Sequence, residues 1–286
     1  MDTSPSTPIT GADPMALSPL DEELMSLFRY VSQRAIMPRW RNLAGDEVGE
    51  KAKDDPVTIA DRETEQFLTE ALQKLAPGVA VVGEEACHAD PAIRDRLAGD
   101  CWIIDPIDGT RNFARGEGHF AIMLALAQAG MPVASWIYDP RRDRLCHART
   151  GEGAFVDGES VKAAPSGQSP ATLAAMKGYM ADEQRALFET EIEPHYAPVE
   201  APGCAGEQYP LTVWGGHDIA LYERTEPWDH APGCLFLNEA GGKCARPDGS
   251  PYRVDDARRG LIGAVSPSLF DEFAQRLQAA GYTPAA

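Results

Sequence analysis

Positive charge is scarce in this chain. Its 26 Lys and Arg face 44 Asp and Glu, a net charge of −18 with histidine neutral. Arg141-Arg142 and Arg258-Arg259 stand as isolated pairs rather than a basic stripe. Nucleic acids and anionic membranes are both held by positive potential, so neither is expected as a partner. Long apolar runs are missing too. The longest, Phe120 to Ala127, falls far short of the roughly 20 residues that span a bilayer as a helix. The six cysteines, Cys87, Cys101, Cys146, Cys204, Cys234 and Cys244, form no Cys-x-x-Cys pair and keep no regular spacing. They read as reduced thiols of a cytoplasmic protein, neither a disulfide framework nor a zinc site. No His-x-x-x-His spacing and no internal repeat occur. Met1 to Pro19 is rich in Ser, Thr and Pro and lacks both a basic start and an apolar centre. It reads as a disordered tail over residues 1–17, not as a signal peptide.

What is present suits a globular enzyme: 43% of residues are apolar, enough for one large domain or two packed subdomains. Leu20, Leu24, Leu27, Phe28 and Val31 recur at helical spacing and predict a helix from Asp21 to about Asn42, which Pro38 kinks or ends. The polar, acid-rich stretch 45–56 predicts a surface loop. A second apolar stripe, Phe67, Leu68, Ala71, Leu72 and Leu75, predicts a helix from Thr58 to about Leu75, and Val79–Val82 a short buried strand. Residues 120–128, 132–138, 144–148 and 153–156 read as consecutive antiparallel strands between turns. The Ala/Pro/Ser/Gly-rich stretch 162–170 marks a boundary between an N-terminal α+β subdomain (18–162) and a C-terminal α/β subdomain (170–286). Beyond it, strands at 173–176, 217–222 and 261–265 alternate with helices at 182–192, from near 208 to 215, from Trp228 or Asp229 to 240, and at 267–279.

Trp102-Ile-Ile-Asp105-Pro-Ile-Asp108-Gly-Thr110 organises the rest. An apolar run reads as a buried strand, and Gly109-Thr110 suits a turn into a helix start. Two carboxylates leaving a buried strand cost several kcal/mol unless a positive charge holds them. A divalent cation does so, with the Ile107 carbonyl as a third oxygen. An EF-hand is excluded, because Pro106 and Ile107 fill the gap and Gly116 stands where the closing Glu belongs. The bland alternative is a capped helix start with two surface aspartates. Asp61, in the first turn of a helix, has an equally plain role in offsetting the helix dipole, and Asp229 could be an N-cap. Glu84-Glu85 could be a surface turn. Glu84 also leaves a short strand, as Asp105 does, and ligands at neighbouring strand ends converge on one crevice.

Asp105-Pro-Ile-Asp-Gly-Thr110, followed by Asn112-Phe113, resembles the signature of the inositol monophosphatase family of metal-dependent, lithium-sensitive phosphatases. Three further blocks resemble that family in the same order: Val57-Thr-Ile-Ala-Asp61, Gly83-Glu84-Glu85, and Trp228-Asp229-His-Ala-Pro-Gly233 ahead of Glu239-Ala-Gly-Gly242. The resemblance implies a layered α-β-α-β-α sandwich of the sugar-phosphatase type. It also implies hydrolysis of a small phosphomonoester, inositol monophosphate first, with histidinol phosphate, fructose 1,6-bisphosphate and 3′-phosphoadenosine 5′-phosphate as alternatives. It implies two or three ions held by Glu84, Asp105, Asp108, Asp229 and the Ile107 carbonyl. Such an all-oxygen set selects Mg²⁺ or Mn²⁺. Thr110, backed by Asp61, would orient the attacking water, and the Gly109 and Thr110 N–H groups would cradle phosphate. Gly203, Cys204, Ala205 and Glu223 would touch the substrate. The resemblance further implies homodimers and a flexible loop near 45–56, with Lys53 close to the phosphate or a third metal. Family members often carry a basic residue before the Gly-Cys-Ala stretch. Here Glu200-Ala-Pro202 precedes it, which favours singly phosphorylated substrates. His230 is assigned no role. The competing class is an inactive relative that acts as a binding protein, and the complete ligand set counts against it.

Overall fold

The computed structural model describes residues 17–44, 47–52 and 55–284. Its first helix, α1 (Pro19–Val31), begins on a reciprocal cap: the Ser18 hydroxyl accepts from the Asp21 N–H, and the Asp21 carboxylate accepts from the Ser18 N–H. Asp21 is buried and also accepts from Trp136 Nε1 at 2.7 Å and from Arg149 at 2.7 and 2.9 Å, which pins the helix to the sheet beneath. Past Val31 the chain widens into a π turn, Ser32–Ile36, so the regular helix stops well short of Asn42. Pro38, with no N–H to extend the ladder, follows that turn. The expected loop contains a hairpin, β1 (Val48–Ala52) against β2 (Asp55–Thr58); Lys53 lies outside the described residues.

From α2 (Ile59–Leu75) the chain runs to β3 (Ala80–Gly83), α3 (Glu84–Ala89), β4 (Cys101–Asp108) and α4 (Thr110–Arg115). It then makes β5 (Ala121–Gln128), β6 (Met131–Asp139), β7 (Arg144–Arg149), β8 (Gly153–Val156) and β9 (Glu159–Val161). These strands form a seven-stranded sheet in chain order, β3 to β9, with β3 parallel to β4 and antiparallel neighbours thereafter. Past the connection come β10 (Thr172–Ala175), α5 (Asp182–Leu187), β11 (Ala197–Pro198), α6 (Ala205–Val213), β12 (Ile219–Tyr222), α7 (Pro227–Glu239), β13 (Lys243–Ala245), β14 (Leu261–Ala264) and α8 (Pro267–Ala279). The second sheet is mixed, in the order β11-β10-β12-β14-β13.

Alternate residues of β4 and β5 face opposite layers, as strand geometry requires. Trp102, Ile104 and Leu124 pack with Leu24, Phe28 and Leu68 of α1 and α2. Ile103, Met123 and Ala125 instead join Tyr209, Leu235 and Phe236 of α6 and α7. Ala220, Tyr222 and Leu261 of the second sheet belong to that same core, so α6 and α7 lie between the sheets. The other face of the second sheet packs on Phe188, Phe270 and Phe273. The layers are therefore α-β-α-β-α, as the resemblance implied. Close approach in the middle layer depends on Gly233, where a Cβ would sit 1.8 Å from the Tyr209 ring.

Candidate active site

Residues three apart in a regular strand point to opposite faces, yet Asp105 and Asp108 both line one cavity of about 230 Å³. The cause is local: Pro106 donates no N–H, and the β4–β5 register slips between Asp105 and Asp108. Gly109 ends the strand at φ +85°, where a Cβ would come 2.6 Å from the His119 carbonyl, and it caps α4. Asp229 arrives from the first turn of α7. Glu226 holds the N-cap position there, so the plain capping role for Asp229 does not apply. Ligand oxygens of Asp105, Asp108 and Asp229 lie within 4.8 Å of one another. Glu84 lines the same cavity from the first residue of α3, outside this tight trio. The start of α3 is fixed by the buried Glu65, whose carboxylate accepts from the Glu85 and Ala86 N–H groups at 2.7 and 2.8 Å.

The Ile107 carbonyl accepts from Thr110 Oγ1 at 2.9 Å, and the same hydroxyl lies 3.1 Å from Asp61 Oδ1. Asp61 is fully buried, its Oδ2 accepting from the Thr58 N–H and hydroxyl. Burial pushes Asp61 up to about 7 despite those two bonds. Burial, then repulsion from Asp229, pushes Asp108 up to about 7 as well, and burial raises Asp229. Arg224 Nη2, 3.3 Å from Asp229 Oδ2, offsets part of this repulsion without cancelling it, and closely packed carboxylates raised in this way favour a further cation among them. The set is all oxygen and sits in a cavity, which fits a hard divalent ion. Gly203, Cys204 and Ala205 also line the cavity. The Cys204 thiol donates to Asp108 Oδ2 at 2.9 Å and the Gly206 N–H at 2.6 Å, which orients that carboxylate and leaves its other oxygen for a ligand.

Glu223 departs from expectation. It is fully buried, accepts from the Tyr282 hydroxyl, and does not line the cavity. Its neighbours Tyr222 and Arg224 do, together with Met176 and Tyr179 from the second sheet's side. His230 adjoins the cavity, but both ring nitrogens are engaged, Nδ1 with the Tyr209 hydroxyl and Nε2 with the Arg224 carbonyl, each at 2.9 Å. Burial lowers its pKa to about 3, so the ring is a neutral strut. Sequence reasoning missed Arg224, Tyr179 and the Cys204–Asp108 contact. The arginine carries no motif, and the contact joins residues far apart in the chain.

A cavity walled by carboxylates and floored by a turn into a helix, set in layered α/β architecture, is a site that could hold a divalent ion and suits phosphate chemistry. The Inositol monophosphatase family profile matches residues 16–282. An inositol-1-monophosphatase of Bacillus subtilis is 32% identical over 227 residues, covering 77% of this chain and 84% of its own. A histidinol-phosphatase of Chlorobaculum parvum is 30% identical over 76% of this chain and 82% of its own. A solved IMPase of Thermotoga maritima shares the fold, with a TM-score of 0.73 at 24% identity over 91% of this chain and 97% of its own. The chain belongs to the inositol monophosphatase family and is a phosphatase. No helix among the described residues is long and apolar enough to cross a membrane.

Proposed function

We propose that this phosphatase hydrolyses a small phosphomonoester of a sugar or polyol, inositol monophosphate being the reference substrate, with Mg²⁺ or Mn²⁺ held at Asp105, Asp108, Asp229, Glu84 and the Ile107 carbonyl. The observation that carries this reading is the trio of Asp105 and Asp108, both buried, with the half-buried Asp229, whose oxygens fall within 4.8 Å. Bound divalent ions would acidify water and neutralise charge on the attacking and leaving oxygens. The chain's own groups do the rest. Thr110 Oγ1 accepts a hydrogen bond from the attacking water and passes its proton toward Asp61, 3.1 Å away. A base near pH 7 suits that transfer at neutral pH. The Gly109 and Thr110 N–H groups steady the phosphate oxygens, and Gly203 to Ala205 wall the leaving alcohol. Water attacks phosphorus directly, so no phosphoenzyme forms. Histidinol phosphate, fructose 1,6-bisphosphate and 3′-phosphoadenosine 5′-phosphate remain the alternatives, in a cytoplasmic homodimer that binds neither nucleic acid nor membrane. Phosphate release from this panel, with and without Mg²⁺, tests the reading. Metal-dependent turnover of at least one ester is expected; silence on all of them with Mg²⁺ and Mn²⁺ would make the chain a binding protein.

A further inference from the structure

We propose that Arg224 selects the leaving group: phosphomonoesters whose alcohol carries a second anionic group, carboxylate or phosphate, are preferred over neutral and cationic counterparts. This rests on the phosphatase reading of the same cavity. Past β12 two successive side chains diverge. Glu223 turns inward beneath Tyr282, while Arg224 lines the cavity with about a third of its side chain exposed, at 34%. Its guanidinium stands 5.3 Å over the Tyr179 ring, and Nη2 donates to Asp229 Oδ2 at 3.3 Å. The Arg224 carbonyl is held from below by His230 Nε2, itself backed by Tyr209. The cation thus sits on a fixed backbone, stacked on an aromatic face, at the margin of the carboxylate trio. Arg111, the other arginine on the cavity wall, lies on α4 beside Thr110, at the phosphate end.

A phosphate seated against the trio presents its alcohol to the remaining walls. There Met176, Tyr179 and Tyr222 offer apolar faces and Arg224 offers a fork of donors. A guanidinium reads carboxylate or phosphate oxygens in pairs, where an ammonium-bearing alcohol meets like charge. The cation missing ahead of Gly203 is therefore supplied from a different loop.

The test uses the Mg²⁺-loaded enzyme and matched esters. The carboxylate arm compares 6-phosphogluconate with neutral sorbitol 6-phosphate and cationic glucosamine 6-phosphate. The phosphate arm compares fructose 1,6-bisphosphate with fructose 1-phosphate. In the wild type, kcat/KM is expected to favour the anionic member of one arm by about 10- to 100-fold, the range of a hydrogen bond to a charged group. Arg224→Gln should collapse that ratio to about threefold or less, because the charge-assisted bond is gone. Arg224→Lys, keeping charge without the fork, should fall between and covers a Gln variant that does not fold. Mg²⁺ affinity is measured alongside. Equal wild-type ratios, or a ratio untouched by Arg224→Gln while Mg²⁺ affinity changes, overturn the inference and leave Arg224 as counter-ion to Asp229. Loss of hydrolysis across every ester sinks the phosphatase reading and this one with it.

Discussion

Asp108 concentrates the conflict of the site in one side chain: buried, repelled by Asp229, and held by the Cys204 thiol and Gly206 N–H on one oxygen only. Asp105→Asn and Asp108→Asn are expected to lose at least about 100-fold in kcat, by analogy with deleting one strong transition-state contact, while the far-UV spectrum stays that of the folded chain. Turnover close to wild type in either variant would remove these residues from the metal site. Under the proposed mechanism Thr110→Ala should lose far more turnover than Mg²⁺ affinity, since its hydroxyl bonds the Asp61 carboxylate and the Ile107 carbonyl and adds no carboxylate to the ligand set. The raised carboxylates also set a pH dependence. Asp61, Glu65 and Asp108 titrate near 7 in the fold and near 3.8 to 4.5 otherwise. Between those values the folded chain keeps protons the unfolded chain has released. Their contribution to metal-free stability is therefore fully present below about pH 4 and falls as pH rises through 7. A bound cation reverses the loss, so the Mg²⁺-induced rise in Tm should be larger at pH 8 than at pH 6. Equal rises would mean these groups do not titrate with metal binding. Asp105 and Asp108 stood out in the sequence because two carboxylates at a strand exit are chemically costly, whereas Asp61 and Asp229 were tied to the site through the resemblance alone. Arg224 did not stand out, since a lone arginine on a loop looks like any solvated charge until the fold aims it.

At the level of elements, short polar anchors decide where helices lie. Burial alone would push Asp21 up, but hydrogen bonds from Arg149, Ser18 and Trp136 outweigh it and hold its pKa at about 2. A depressed carboxylate stabilises the fold above its ordinary value of 3.8, and that share is lost as pH falls from about 4 through 2. Asp21→Ala removes a buried carboxylate that serves the α1 cap, Trp136 Nε1 and the half-buried Arg149 at once, and should cost roughly 3–5 kcal/mol in urea unfolding. A loss below about 1 kcal/mol, the range of an exposed pair, would show that α1 is held by its apolar face alone. Helices with clear stripes, such as α2 and α8, were legible in outline. The end of α1 was not, because a π turn leaves the apolar spacing almost unchanged while altering the hydrogen-bond ladder. The β1–β2 hairpin was hidden for another reason: Asp-Asp-Pro and neighbouring lysines give no alternating pattern.

For the molecule as a whole, all six cysteines are free and buried, on α3, on both sheets and in the layer between them. Burial pushes Cys101 and Cys146 up to about 12 and Cys87 to about 11. Ellman's reagent should find almost no thiol in the native protein and six after denaturation. Rapid native reaction of several thiols would contradict this packing. The layer count could be anticipated through resemblance, whereas the shared core could not: Tyr209, Gly233 and Ile103 meet only once the chain has folded back across the connection. That arrangement has a consequence for assembly. Asp105 and Asp108 hang from the first sheet, while Asp229 belongs to a helix packed between the two. Sever the chain between β9 and β10, and each fragment retains an incomplete set of oxygen donors. If the proposed ion site is right, neither piece should capture Mg²⁺ alone, and complementation of the two fragments should restore capture together with the apolar seam.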